Sequence, residues 1–589
     1  MFGGQIMSNK TTVSCIKRNQ AKNIEVSVRD GEKDVFYADI EMTFDGKVCP
    51  GQVSFTFNTE CADVYSTWTP LAKQVRHIAP DWSKQTSRSR LASGAPVMSM
   101  IAKNGANRVT VALSDANTAC SIGSGVLEDC AELQFKIDVF TQLTAPLEKY
   151  NLTVRIDMRD VPYYTALSDT EKWWREELGF SEAYVPEAAR VPLDSLWYSF
   201  HQALDPDKVI EECRLSKSLG MDTVIIDDGW QTDDNGRGYD YCGDWELATG
   251  KIPDMKKLVD ALHEIGMKVI LWYSVPFVGC RSKNYERFKG MYVCSCSHLN
   301  NVMCLDPRFK EVRDFMVDIY KKAVSEWGLD GLKLDFIDSF ALSDISKQDD
   351  PRRDCISLEE GVEKLLSEVT NVLKAIDPEI LIEFRQSYIG PTIRKYGNML
   401  RVSDCPNDAI RNKIGIVDLR LISGGTAVHS DMLMWHKNEK PEQIAFQLLS
   451  TMFGVPQISV RLCEVPEEHK LVIKNYLDFW RANRSVVLDG KLAAKAPEDG
   501  YLLVSSEKDG REVAVRYADV PFELKSGIKY SLFNATSEQR AVLLSDDADC
   551  KDMPYEVYDC LGNKVASGVT SPVNGSVIRM PISGRIDIG

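Results

Sequence analysis

Between residues 190 and 487, short apolar runs alternate with longer segments of helical periodicity. Eight runs read as strands: SLWYSF, DTVIIDDGW, KVILWYSV, GLKLDF, EILIEF, MLRVSD, TAVHSD and PQISV. Strands that alternate with helices predict a parallel sheet built from βα units. Eight such units, over a span close to the ~250 residues typical of the fold, predict a closed (β/α)₈ barrel.

Two helical segments carry recognisable ends. In DPDKVIEECRLSKSLG, Asp205 is placed to cap the helix and Gly220 to end it. In DPRFKEVRDFMVDIYKKAVSEWG, Asp306 and Gly328 take the same positions. Each aspartate precedes a proline, which suits the first position of a helix, and each glycine suits a left-handed C-terminal residue.

Alternating apolar runs on both sides of this region predict β-domains. Runs such as KNIEVSVRD and GQVSFTFN precede it, and YLLVSS and REVAVRY follow it. The expected fold is multidomain α/β, with a central (β/α)₈ TIM barrel, an N-terminal β-sandwich and a small C-terminal antiparallel β-domain. The predicted boundaries are 1–187, 188–486 and 487–589.

Composition excludes several classes of partner. The 589 residues carry a formal net charge of −16, whereas nucleic acids and anionic membranes require clustered Lys and Arg. No stretch of about 18 apolar residues occurs, so we expect no membrane span. The N-terminus MFGGQIMSNKTTVSC lacks the features of a secretory signal, which predicts a cytoplasmic location. The expected partner is a neutral small molecule or another protein.

We expect neither a metal nor a cofactor. Four cysteines crowd one segment with spacings that fit no standard zinc pattern: Cys280, Cys294, Cys296 and Cys304. His429 and His436 lack a companion ligand pattern, so they are interpreted as structural residues or substrate contacts.

Acidic residues collect at the ends of four predicted strands, namely Asp227 with Asp228, Asp335, Asp404 and Asp431. The C-terminal ends of barrel strands carry the active site in this fold. Lys333 and Asp335 point the same way along their strand. Alone they could form an inert ion pair, but with the other acidic strand ends they predict a functional site.

A neighbouring ammonium keeps a buried carboxylate ionised, which suits Asp335 to act as a nucleophile. Several carboxylates, without a metal triad, a GxSxG motif or a phosphate-binding loop, favour glycoside chemistry. The sequence therefore predicts a carbohydrate as substrate.

Three motifs resemble those of the melibiase superfamily, the retaining α-galactosidases of glycoside hydrolase family 36 and their relatives. They are IIDDGW with the following GDW, GLKLDFID, and LRVSDCPNDAIRN, within roughly residues 190 to 465. The resemblance implies that Asp335 is the nucleophile and Asp404 the acid/base. It also implies that residues around them bind the sugar or shape the rim of its pocket: Asp227, Asp228, Trp230, Lys333, Asp244, Trp245 and Trp272. Asp431, at its own strand end, is a further candidate for substrate binding. Trp68 matches an aromatic that reaches the site in similar enzymes, although a place in the sandwich core is the favoured interpretation.

One segment departs from the superfamily. Arg385 and Gln386 stand where its α-galactosidases carry a small cysteine- and glycine-containing turn near C2 of the sugar. We expect both residues to bind substrate, and Arg385 could alternatively pair with Glu383 or Asp404.

The expected function is hydrolysis of terminal α-galactosides or closely related α-glycosides through a covalent glycosyl-enzyme. The alternatives are a transglycosylase of the same superfamily, a glycosidase for a C2-modified or acidic sugar, and a sugar-binding protein that has lost turnover. Superfamily members are often oligomeric, so a homo-oligomer is one expected state.

Overall fold

The computed structural model describes residues 13–17, 19–71, 75–296, 299, 301–346 and 349–589. The prediction about a secretory signal rests on residues 1–15. Residues 1–12 of that segment lie outside the described range. Across the described residues, no helix combines the length and apolarity needed to cross a bilayer.

The centre of the molecule is a parallel eight-stranded barrel. In chain order its strands are β1 (Leu193–Ser195), β2 (Thr223–Ile226), β3 (Lys268–Ser274), β4 (Gly331–Asp335), β5 (Leu381–Arg385), β6 (Met399–Arg401), β7 (Ala427–His429) and β8 (Gln457–Ile458). Each pairs in parallel with its neighbour in sequence from β1 to β7, and β8 pairs with β1.

The ring closes between β7 and β8 through backbone hydrogen bonds just before β8. Val455 N–H donates to Val428 O at 2.8 Å, and Ser430 N–H donates to Val455 O at 3.0 Å. The barrel predicted from the βα alternation is confirmed.

The first strand differs from the prediction. The strand is Leu193–Ser195, and most of the run SLWYSF forms a short helix, Leu196–Phe200. Ser459 explains the change of direction, because its hydroxyl accepts hydrogen bonds from the N–H groups of Tyr198 and Ser199 at 2.9 and 3.1 Å. Those donors lie in the first turn of the helix, where they have no intrahelical partner.

Helices surround the barrel: α1 (Pro206–Leu219), α2 (Met255–Ile265), α3 (Lys310–Trp327), α4 (Leu358–Ile376), α5 (Ala409–Arg420), α6 (Pro441–Leu449), α7 (Glu467–Ala482) and α8 (Arg484–Asp489). A single 3₁₀ turn, Ile393–Lys395, stands between β5 and β6. The ends predicted for α1 are confirmed, since Asp205 accepts from Lys208 N–H and Gly220 is left-handed at φ 104°.

The predicted start of α3 is wrong. Phe309 precedes its first residue, Lys310, and the C-terminal Gly328 is left-handed as expected. Asp306 instead binds Arg308, whose backbone N–H and side-chain Nε donate to the same carboxylate oxygen at 3.0 and 2.9 Å. The arginine competes for the side chain that would have capped the helix.

The N-terminal domain consists of two antiparallel sheets with an apolar core between them. One sheet has the order Ser14–Lys17, Val53–Glu60, Glu132–Val139, Cys120–Leu127 and Gln85–Ser89. The other has the order Ala21–Asp30, Val35–Val48, Leu147–Asp157, Asn107–Leu113, Val97–Ile101 and Ser66–Trp68. A helix, Tyr163–Lys172, leads from this sandwich toward the barrel.

The C-terminal domain has a seven-stranded sheet and a three-stranded sheet. The larger has the order Lys491–Lys495, Leu503–Lys508, Arg511–Arg516, Lys529–Asn534, Arg585–Ile588, Met553–Tyr558 and Lys564–Thr570. The smaller contains Phe522–Glu523, Arg540–Leu544 and Ser576–Arg579. Pairing is antiparallel except for one parallel pair in each sheet. The exact domain boundaries, after 187 and after 486, stay predictions.

A buried polar cluster joins the three domains. Asp418 of α5 accepts two hydrogen bonds from Arg76 at 2.8 Å, one from Trp68 Nε1 at 2.8 Å, and one from the hydroxyl of Tyr501. Trp68 is fully buried there, so it contributes to the junction between domains and lies outside the core of the sandwich.

Candidate functional site

Asp335 is the last residue of β4 and receives three hydrogen bonds. Its Oδ1 accepts from Arg385 Nε at 2.5 Å and from the N–H of Phe336 at 2.8 Å. Its Oδ2 accepts one, from Trp272 Nε1 at 3.0 Å. Trp272 lies on the adjacent strand β3 and Arg385 ends β5, so the barrel itself fixes this geometry.

The carboxyl of Asp335 is held ionised. Burial opposes the charge, but the cations Arg385, Lys333 and Arg401 outweigh it, and the pKa of Asp335 lies well below its usual value. The contact that the sequence suggested between Lys333 and Asp335 is indirect. Lys333 Nζ donates to Asp227 Oδ2 at 2.6 Å and acts on Asp335 through space.

Asp228, which follows β2 and Asp227, is a buried carboxyl with two amide donors. Gln202 Nε2 donates to it at 2.7 Å and Gln231 Nε2 at 2.6 Å. Burial raises the pKa of Asp228 to about 6, although both hydrogen bonds oppose the shift. Gly229 permits this packing, because its φ is 118° and an added Cβ would lie 2.5 Å from Gln202 Cα.

Asp404 lies beyond the end of β6 with its side chain 55% exposed. Arg401 Nη2 donates to Asp404 Oδ1 at 2.9 Å. Burial opposes ionisation, but the charge of Arg401 outweighs it and the pKa of Asp404 is lowered. The negative charge of Asp335 opposes this net lowering of the pKa of Asp404. The two carboxylates therefore interact electrostatically.

Arg401, which the sequence analysis did not select, organises this side of the site. It is 1% exposed, and besides Asp404 it contacts Asp431 and has its Nε 3.6 Å from Glu383 Oε1. An arginine that directly follows two apolar residues of a predicted strand was a usable signal, since a buried cation needs carboxylate partners.

Asp431 is fully buried behind Arg401. Besides Arg401, its carboxylate accepts from the N–H of Cys405 at 2.6 Å and the hydroxyl of Tyr198 at 3.1 Å. These contacts hold the segment after β6, and with it Asp404, in place. Its predicted role in substrate binding stays a prediction.

Trp230 is fully buried among aromatic rings. Its centroid lies 6.0 Å from Trp245, 5.2 Å from Tyr273 and 5.6 Å from Trp327, and its Nε1 donates to Trp272 O at 2.9 Å. Trp230 therefore supports Trp272, the residue that contacts Asp335.

Tyr239 is a site residue that the sequence analysis missed. It is partly exposed and stacks on Trp272 with centroids 6.1 Å apart. Burial and the charges of Asp228 and Asp335 raise the pKa of its hydroxyl, so it stays neutral beside the carboxylates.

Asp244 lies at the rim. Its carboxylate accepts from the N–H groups of Lys283 and Asn284 at 2.9 and 3.1 Å, at the start of the helix Lys283–Arg287. The side chain fixes one loop to another, and its predicted role in substrate binding stays a prediction.

Gln386 contacts the N-terminal domain, where its Nε2 donates to Pro70 O at 3.3 Å. Arg385 lies over the ring of Phe336 at 4.8 Å and has Nη2 3.6 Å from Asp338 Oδ1. Neither Glu383 nor Asp404, the partners considered from the sequence, forms the ion pair with Arg385.

The cysteine segment forms no metal site among the residues that the structure describes, since no group of three potential ligands converges there. Cys294 and Cys304 face each other across two antiparallel strands. His429 is buried, its Nε2 lies 2.8 Å from Ala189 O, and burial lowers its pKa to about 4. His436 Nδ1 accepts from the N–H of Asn438 at 3.2 Å.

Comparison with known sequences identifies the family. The melibiase family profile matches residues 183–490, which includes every barrel strand and the segment around Asp335 and Asp404. The chain belongs to the melibiase family. The strand GLKLD, which ends at Asp335, and the aspartate after β6 lie inside the matched region.

Several curated proteins resemble parts of this chain. Alpha-galactosidase AgaA of Geobacillus stearothermophilus is 22% identical over 57% of this chain and 47% of its own length. Alpha-galactosidase Mel36A of Lactobacillus acidophilus is 29% identical over 26% of this chain and 21% of its own. "A type blood alpha-D-galactosamine galactosaminidase" of Flavonifractor plautii is 27% identical over 22% and 13%. The aligned stretches thus span less than half of these relatives.

Solved structures share the complete fold. A variant of AgaA from Geobacillus stearothermophilus in complex with 1-deoxygalactonojirimycin superposes with a TM-score of 0.67, at 16% identity, over 100% of this chain and 84% of that one. The alpha-galactosidase of Lactobacillus brevis gives a TM-score of 0.65 at 14% identity over the same shares.

Proposed function

We propose that this melibiase-family chain is a retaining α-glycosidase that hydrolyses terminal α-galactosides or closely related α-glycosides. The observation that carries the proposal is the pairing of an ionised, three-fold hydrogen-bonded Asp335 with a half-exposed Asp404 on a nearby strand end. Two carboxyl groups with different environments are what double displacement at a sugar requires. The alpha-galactosidase names of its relatives support the choice of sugar.

In the first step Asp335 attacks the anomeric carbon and forms a glycosyl-enzyme. Oδ1 already accepts from Arg385 and Phe336, whereas among the described residues Oδ2 accepts only from Trp272, so Oδ2 is the better attacking oxygen. The donors on Oδ1 keep the carboxylate oriented, and they stabilise it again as the leaving group in the second step.

Asp404 protonates the departing oxygen and then removes a proton from water. A bound sugar excludes water from its exposed side chain, which raises the pKa toward the acid form. Once Asp335 is esterified, its negative charge no longer acts on Asp404, so the pKa of Asp404 falls and the residue becomes a base.

The remaining polar groups would hold the sugar. Lys333 is paired with Trp272 on the adjacent strand, Tyr239 stacks on Trp272, and the charge of Asp228 acts on Tyr239. The hydrogen-bonding groups of Lys333, Tyr239 and Asp228 suit sugar hydroxyls. We assign no cofactor, because the two carboxylates supply the complete proton and nucleophile chemistry.

Azide rescue tests both assignments. In Asp335→Ala, azide enters from the vacated face and should give the β-glycosyl azide. In Asp404→Ala, azide attacks the glycosyl-enzyme and should give the α-glycosyl azide from an activated aryl substrate. Recovery of the α-product from the first variant, or the β-product from the second, would refute the corresponding role.

A further inference from the structure

Cys294 and Cys304 lie opposite each other in a small antiparallel sheet between β3 and β4. Its strands have the order Phe277–Gly279, Val302–Leu305 and Tyr292–Ser295. The two sulfur atoms converge, because that of Cys294 lies 3.6 Å and that of Cys304 3.9 Å from the same atom, Ser339 O. Both residues are free thiols. We refer to them as the thiol pair.

The other two cysteines of this segment have different neighbours. Cys296 donates its backbone N–H to Val302 O at 3.0 Å, so its partner across the sheet is a valine. Cys280 is exposed and follows the last residue of its strand. Pairing across the strands therefore selects one thiol pair from the four clustered cysteines, all of which belong to the described part of the chain.

The members of the thiol pair differ in reactivity. The S–H of Cys304 donates to the sulfur of Cys294, and this hydrogen bond lowers the pKa of Cys294 and raises that of Cys304. Cys294 is 7% exposed and Cys304 is 0% exposed, so a small oxidant reaches Cys294 first. The thiolate is the form of cysteine that attacks a peroxide. Cys294 is therefore suited to attack, and Cys304 to resolve the product.

The thiol pair is connected to the proposed nucleophile by two contacts. Cys304 is paired on its other side with Phe277, whose ring centroid lies 4.6 Å from that of Phe336. Phe336 follows Asp335 and donates its N–H to that carboxylate at 2.8 Å. Ser339, whose carbonyl both sulfur atoms approach, ends the turn that begins after Phe336. A change at the thiol pair therefore acts on the segment that holds the carboxylate.

We propose that the thiol pair is a reversible oxidation site, at which a peroxide forms a disulfide that lowers turnover in the proposed active site. The Cys294 thiolate attacks one peroxide oxygen, the O–O bond breaks, hydroxide leaves, and a sulfenic acid forms. The sulfur of Cys304 then attacks the sulfur of Cys294, so the S–S bond forms as the S–O bond breaks and a second hydroxide leaves. The two thiol protons convert both hydroxides to water. Two thiols and one hydrogen peroxide thus give one disulfide and two waters.

The disulfide changes the packing behind the site. Opposite residues of an antiparallel pair have Cβ atoms about 4.5–5.5 Å apart, whereas a disulfide requires about 3.5–4.5 Å, so the two strands draw together. Phe277 moves with the strand of Cys304 and shifts against Phe336. Ser339 O also loses the S–H of Cys294 as a donor. Both changes disturb the position of the carboxylate, and this consequence rests on the proposed function.

Peptide mapping tests the oxidation site without reference to activity. Trypsin releases residues 290–308 as one peptide that contains Cys294, Cys296 and Cys304. When the intact chain is treated with hydrogen peroxide and then unfolded in N-ethylmaleimide, tandem mass spectrometry should locate the maleimide on Cys296 and a disulfide between the other two. Dithiothreitol before blocking should give three maleimides. Three maleimides without dithiothreitol, or a disulfide that contains Cys296, would overturn the proposal.

Turnover tests the consequence. Peroxide should lower kcat/KM of the wild type for p-nitrophenyl α-D-galactopyranoside at least about threefold, because a small displacement of reacting groups is costly, and dithiothreitol should restore it. Cys294→Ser and Cys304→Ser cannot form the disulfide, so each should keep the kcat/KM of its own untreated sample. Cys130→Ser, which removes an exposed thiol of the N-terminal domain, is the matched control and should respond as the wild type does.

The two proposals fail separately. Equal losses of kcat/KM in the wild type and in both thiol-pair variants would refute the effect on turnover, even where mapping finds the disulfide. A chain that hydrolyses no α-glycoside before oxidation would refute the proposed function. The maleimide pattern of the peptide 290–308 would still show whether the thiol pair is an oxidation site.

Discussion

The guanidinium of Arg385 donates from Nε to the carboxylate of Asp335 at 2.5 Å and extends Nη2 toward Asp338. This single side chain therefore fixes the proposed nucleophile and lines a cavity of about 320 Å³ beside it. A lysine could not do both, because a point charge lacks the planar fork of donors.

Removal of that guanidinium should raise the pKa of Asp335. In Arg385→Met, the acid limb of kcat/KM for a dinitrophenyl α-glycoside should move up by about one pH unit or more, since an adjacent cation shifts a carboxyl by that amount. This leaving group needs no protonation, so the limb reports the nucleophile. Arg411→Met is the control, because Arg411 lines the same cavity but is not among the largest charges acting on Asp335. An unmoved limb in Arg385→Met would show that other donors set the pKa.

Loss of Asp404 should matter according to the leaving group. Asp404→Ala should lower kcat/KM for an alkyl or sugar leaving group by about 10²–10⁴-fold, whereas dinitrophenyl substrates should lose little, because only the former need an acid. Each preparation of the variant is measured on both substrates, so a misfolded fraction would lower kcat/KM equally for the two. Equal losses would assign Asp404 a structural role.

Arg401 should be essential to stability. Arg401→Met leaves Asp431 buried without its cation and leaves Glu383 with Lys333 alone, so the free energy of unfolding should fall by about 3–5 kcal/mol. Adding Asp431→Asn should restore part of that loss, since one uncompensated charge is removed. Arg237→Met, at an exposed position, is the control. A loss under about 1 kcal/mol in the single variant would contradict the buried-pair interpretation.

Asp228 should make stability depend on pH. Its folded pKa of about 6 exceeds the ordinary value of 3.8, so its contribution is fully present below pH 3.8 and is lost as pH rises through about 6. Relative to Asp228→Asn, the wild type should lose up to about 3 kcal/mol of unfolding free energy between pH 4 and pH 7. Denaturant unfolding at several pH values measures the difference, and parallel curves would show that Asp228 titrates normally.

Local sequence signals predicted the strands and most helix ends. The side-chain partners of residues that are distant in sequence could not be predicted from such signals. Asp205 and Gly220 define α1 through contacts within a few residues, so their pattern was sufficient. Asp306 does not cap the helix because Arg308 binds its carboxylate. Such competition between side chains produces no periodic pattern in the sequence, so it could not be predicted. The partner of Arg385 depended on the relative position of two strands, which neighbouring residues do not specify.

The polar cluster around Asp418 limits how the protein can be divided. Arg76 and Trp68 come from the N-terminal domain and Tyr501 from the C-terminal domain, while the carboxylate they neutralise belongs to the barrel. An excised barrel would expose to water the helix α5, whose Asp418 is buried in the complete protein. A chimera would need a replacement N-terminal domain with an equivalent guanidinium and indole. Recombination between family members is therefore expected to succeed only when the exchanged segments carry both halves of this contact.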